Sequence, residues 1–191
     1  MVDKRLLSGA FLSLLLSSTL LLTFCSTAPV HATASWNVQT VDVNGYGGNG
    51  YCPVILDSGG TPHIAYTDAY VYYNEDAVND YLTGSVMHAR WNSSLGGFST
   101  QKIARPGVVT DIALDAQDNP QILYRIGFQE FFQWNTESLK YASWTGSNWD
   151  IQTVNKNYTV YASLALDSSG NPNAAYSDSK SVKYASRNGS I

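Results

Sequence analysis

Cysteine is almost missing from this chain. Of the two present, Cys25 lies in the apolar N-terminal stretch, so removal of that stretch leaves Cys52 alone and no intramolecular disulfide to brace the fold. Repeat alignment sets Cys52 against Thr110 and Ala162, which reads as an ordinary slot for a small side chain. Charge is also scarce, at 14% of residues, and Lys and Arg are scattered from Arg90 to Arg187 without a basic run. A nucleic-acid partner would lack its main electrostatic attraction, which sets that class aside. The net charge is −4, and about −5 beyond residue 34 because Lys4 and Arg5 outweigh Asp3.

Long apolar runs are lacking too. Leu12–Phe24 is interrupted by serine and threonine and falls short of the roughly 20 residues that a membrane-spanning helix needs. With Lys4 and Arg5 before it and Ala32-Thr33-Ala34 after it, residues 1–34 have the charged start, apolar core and small-residue cleavage site of an export signal. The expected product starts at Ser35, is secreted or sits at the cell surface, and has no membrane span after cleavage. Phe24 occupies the place where lipoprotein processing at Cys25 requires a small residue.

Glycine (15) and tyrosine (13) are plentiful, and aromatics reach 13%, a balance that favours strands and turns over disorder or coiled coil. The order within that composition is a repeat. Leu56-Asp57-Ser58-Gly59-Gly60-Thr61-Pro62 recurs as Leu114-Asp115-Ala116-Gln117-Asp118-Asn119-Pro120 and as Leu166-Asp167-Ser168-Ser169-Gly170-Asn171-Pro172, each about 50–60 residues after the last. A second phrase follows each copy, at Met87–Trp91, Lys140–Trp144 and Lys183–Arg187. A third stands at Trp36–Val41, Phe98–Ile103 and Trp149–Val154. Asp, Gly or Asn, and Pro in that order make a turn that opens a new strand. In the strand before it Ala162, Leu164 and Leu166 alternate with polar or small residues, the two-residue period of a pleated strand. The spacing predicts all-β architecture from units of four antiparallel strands, the size of a β-propeller blade.

The Leu-Asp-x-x-Gly-Asn-Pro hairpin and the stretch Lys140–Trp149 resemble the secreted β-propeller repeat proteins of bacteria and archaea, of the sialidase-like (BNR) and NHL-like blade patterns. The resemblance implies four strands per blade, innermost (A) to outermost (D), with D written Trp-x-x-Gln-Thr-Val. The mature chain, residues 35–191, then reads as three blade repeats whose last lacks a D strand, while a spare one, Trp36–Val41, stands at the start to close it. Closed propellers typically use 4–8 blades. Two chains are therefore expected to join head to tail as a homodimer forming a six-bladed ring, against the competing reading of a truncated copy of a longer repeat protein.

Aromatics gather where the B-to-C connections of the first two units are lengthened. Tyr70, Tyr72 and Tyr73 stand in one, Phe131 and Trp134 in the other, and Arg125 beside the second, a set of rings and hydrogen-bonding groups suited to stacking on sugars. These six are the candidate ligand-binding residues, with packing of the insertions as the competing role. The expected function is an exported binding or surface-interaction module for carbohydrate or another cell-surface polymer. A glycoside hydrolase of the sialidase-like propeller type is the alternative and a structural repeat fragment the third reading. No catalytic residue, metal or cofactor is assigned. His63 and His88 align with Gln121 and Asn173, and with Tyr141 and Tyr184, and so read as ordinary strand positions.

Overall fold

The computed structural model describes residues 35–43, 51–72, 81–130, 133–157, 159–178 and 180–187. They hold eleven strands: β1 (Val54–Leu56), β2 (Pro62–Tyr72), β3 (Tyr81–Asn92), β4 (Gly97–Ala104), β5 (Val108–Leu114), β6 (Pro120–Glu130), β7 (Gln133–Trp144), β8 (Trp149–Asn155), β9 (Tyr161–Leu166), β10 (Pro172–Ser177) and β11 (Val182–Ser186). The strands form three antiparallel sheets, β1–β4, β5–β8 and β9–β11, each hydrogen-bonded in chain order. This is all-β architecture in repeated antiparallel units, two of four strands and one of three among the described residues, compatible with propeller blades. The chain divides into Met1–Val38 and Gln39–Ile191. Of the first unit the described residues, Ser35–Val38, are exposed and form no strand.

The repeated hairpin has one physical cause. Asp57 Oδ1 accepts the amides of Gly59 (3.0 Å) and Thr61 (2.7 Å), Asp115 Oδ1 those of Gln117 and Asn119 (both 2.9 Å), and Asp167 Oδ1 those of Ser169 and Asn171 (both 2.8 Å). One carboxylate oxygen thus closes each turn by satisfying two amides that the tight bend removes from any ladder. Where the first and third turns use Gly60 (φ +79°) and Gly170 (φ +80°), the second sets Asp118 at φ +62°. The strands that leave these turns are long in the first two sheets. β2 pairs with β3 as far as Tyr72↔Tyr81 and β6 with β7 as far as Glu130↔Gln133, so the two lengthened connections continue as antiparallel ribbons.

Each sheet has a leading face, toward the next sheet in the chain, and a trailing face. Ala65 and Val86 on the leading face of the first sheet pack with Ile112, Ile122, Tyr124 and Ala142 on the trailing face of the second. Leu123, Leu139 and Tyr141 on the leading face of the second sheet pack with Leu164 and Ala174 of the third. Polar bonds pin the same contacts. The Gly107 amide donates to the Gly84 carbonyl (2.9 Å), the Val109 amide to Thr67 Oγ1 (2.9 Å), and Asp111 Oδ2 accepts both the Leu164 amide and Ser163 Oγ (each 2.8 Å). Gly107 is required by approach, since a Cβ there would lie 2.5 Å from Val86 Cγ2 and 2.9 Å from Tyr124 Cδ2. Cys52, expected in a slot for a small side chain, is exposed, and among the described residues no sheet covers the trailing side of β1.

Candidate functional site

A cleft of about 590 Å³ opens between the first and second sheets, at the end that carries the Asp-closed hairpins and the β3–β4 and β7–β8 turns. The first sheet lines it with His63, His88, Arg90, Thr100 and Gln101, and the second with Gln117, Asp118 and Asn119 of its hairpin and with Trp144 and Trp149. Register explains the grouping. His63 pairs with Arg90 across β2 and β3, and the next rung on that face pairs Ala65 with His88, so three cationic or titratable side chains share the leading face of one sheet.

These groups are wired together. Arg90 Nη2 donates to Asp57 Oδ2 at 2.9 Å, His63 Nε2 lies 3.6 Å from the same oxygen, and His63 Nδ1 lies 3.1 Å from His88 Nε2. The Thr61 amide, aided by Arg90, holds the Asp57 carboxyl down to about 2. Burial, then the charge of Arg90, lowers His63 against the pull of Asp57, and burial, then His63 and Arg90, takes His88 down to about 4. Both rings are neutral near pH 7. In the His63–His88 contact one imidazole donates and the other accepts, according to their tautomers. His88 also meets the edge of Trp149, their ring centres 6.0 Å apart.

The pair has counterparts in the other sheets. Tyr141 donates its hydroxyl to Gln121 Oε1, and Tyr184 donates to Asn173 Oδ1 at 2.5 Å. His63–His88 is the first repeat's version of one cross-strand hydrogen bond. Its chemistry differs because two imidazoles hold a titratable, polar floor where an amide and a phenol do not. Among the described residues no group of three or more His, Cys, Asp or Glu is arranged to hold a metal ion.

The candidates from the sequence sit elsewhere. Arg125 lies on β6 toward the β6–β7 connection, in a hollow of about 160 Å³ with Tyr51, Val108 and Tyr161. Tyr70 and Tyr72 fall on β2 and Trp134 on β7, in the extended ribbons, while Tyr73 and Phe131 lie outside the described residues. The cleft is at the opposite end of the sheets from those ribbons. Insertions such as the two lengthened ribbons are visible in sequence, whereas a groove between two sheets is not. One signal for the cleft was present, namely that only the first repeat has histidine at both aligned positions.

No family model and no curated protein matches the chain. Among solved structures, an endo-arabinase from Bacteroides thetaiotaomicron aligns with a TM-score of 0.42 and 12% identity, covering 73% of this chain and 55% of that one. The chain spans about half the length of that structure.

Proposed function

We propose that the protein is an exported β-propeller-repeat module that binds carbohydrate or a related surface polymer in the cleft between its first two sheets. The observation that carries this reading is the lining itself, which combines the indoles of Trp144 and Trp149 with Arg90, Gln101, Gln117, Asp118 and Asn119. Aromatic faces bury the C–H faces of sugar rings, while amides, guanidinium and carboxylate match the hydroxyl pattern. The volume of about 590 Å³ suits a short oligosaccharide segment. Export follows from the signal pattern of residues 1–34, and the blade reading from the Asp-closed hairpin and four-strand unit.

Binding is favoured over hydrolysis on a specific count. Cleavage of a glycosidic bond ordinarily needs two carboxyl groups facing each other across it. The described lining offers one, Asp118, whose oxygens already accept the Ser58 amide at 3.0 Å and Ser58 Oγ at 2.5 Å.

The test is a glycan array followed by calorimetric titration of the best oligosaccharide. Gln117→Ala and Gln101→Ala alter exposed side chains and leave the packing intact, and each is expected to weaken binding about tenfold, with Trp144→Ala weakening it more. Binding that none of the three changes, or no binding to any glycan in the panel, removes the assignment.

A further inference from the structure

The two terminal sheets each expose a face that the interior repeats keep packed. On the leading side of the third sheet Tyr184 is 69% exposed and Val182 81%, whereas their equivalents in the second sheet, Tyr141 and Leu139, are 5% and 0% exposed beneath the third. On the trailing side of the first sheet Val54 and Leu56 are both 61% exposed, whereas the equivalents of Val54, Ile112 and Leu164, are 6% and 8% exposed against the preceding sheet. The two open surfaces are therefore the two halves of the contact that the molecule already makes twice.

A second observation lies on the trailing face of the first sheet. Tyr66, buried there, donates its hydroxyl to Asp42 Oδ2 at 2.7 Å. Counting from the repeated phrase, Asp42 is the equivalent of Ala104, which ends β4 and packs into the cluster holding Tyr124, the equivalent of Tyr66. Asp42 thus occupies the place where the last strand of a preceding sheet ends. The residues leading to it, Trp36–Val41, repeat the phrase of β8, and the outer edge of β11 has no strand paired to it among the described residues. Trp36 is exposed.

We propose that the trailing face of the first sheet docks on the leading face of the third sheet of a second copy of this chain, and that Trp36–Val41 of the first adds as a fourth strand beside β11 of the second. By the register of β7 with β8, Val38 pairs with the partner's Ala185 and Thr40 with the partner's Lys183. The contact is head-to-tail, since two different surfaces meet. It covers the open apolar faces and supplies a partner for the β11 edge, both of which isolated sheets leave as liabilities. It does not depend on what the cleft binds.

The experiment is light scattering on the complete expressed chain at rising concentration, with two variants. Val182→Asp blocks one surface and Leu56→Asp the other, and because both side chains are exposed in the single chain neither substitution disturbs its core. The expected result is a species of at least twice the chain mass for the parent, monomer for each variant alone, and recovery of a two-chain species when the variants are mixed, since the mixture retains one intact pair of complementary surfaces. A monomeric parent at all concentrations overturns the proposal. So does a dimer abolished by one variant and indifferent to the other, because that pattern marks a symmetric contact of one surface with itself.

Discussion

His88 Nε2 lies 3.1 Å from His63 Nδ1 at the point where the second sheet joins Tyr141 to Gln121 and the third joins Tyr184 to Asn173. One cross-strand bond is thus made three times with three pairs of side chains. Only in the first sheet are both members titratable, buried and close to a cleft, which gives that bond a pH dependence that its counterparts lack.

Stability is expected to fall with acid through His88. A histidine whose folded pKa lies below its unfolded value stabilises the fold while it is neutral, so this contribution is full above about pH 6.5, declines as the unfolded chain takes up protons, and levels off near pH 4. The contribution reaches about 3 kcal/mol at most. Urea midpoints measured between pH 8 and 4 should drop accordingly in the parent. The double variant His63→Gln/His88→Tyr, which installs the second sheet's pair, should show a flatter profile over that range, and an unchanged slope would mean that other groups carry the acid sensitivity.

Asp111 ties the second sheet to the third through the Leu164 amide and the Ser163 hydroxyl. Replacing it with alanine leaves the Leu164 N–H without its acceptor between two packed sheets. A loss of about 1–3 kcal/mol is expected in chemical denaturation, whereas Asp111→Asn, which keeps one acceptor oxygen, should lose less.

Gly107→Ala tests how close the first two sheets stand. The added methyl meets Val86 and Tyr124 well inside contact distance, so strain of about 1–3 kcal/mol is expected. Val86→Ala in the same chain should return part of that loss by opening space, and a strictly additive pair would show that the two side chains do not share the contact.

Leu123 is fully buried between the second and third sheets. Its replacement by alanine is expected to cost about 2–5 kcal/mol by leaving a cavity that rigid strands cannot close. Exposed Leu95, in the β3–β4 turn, is the matched control, where the same substitution should change the denaturation midpoint little.

The strands and hairpins of this protein were legible in its sequence because their causes are local. Alternation of side chains sets a strand's two faces, and an aspartate two residues before a turn amide closes that turn wherever the chain carries it, as at Asp57, Asp115 and Asp167. The repeat then assigned the order of strands within each sheet. The cleft was not legible, because Arg90 and Asn119 come from different sheets and meet only when the leading face of one packs on the next. The same holds for the depth of His63 and His88, whose neutrality follows first from burial beneath a neighbouring sheet, with the charge of Arg90 adding to it. Sequence by itself determined the unit and its turns through hydrogen bonds a few residues long. Only the tertiary structure decided which faces are covered, which are open and where polar side chains converge, since those depend on how one sheet lies against another.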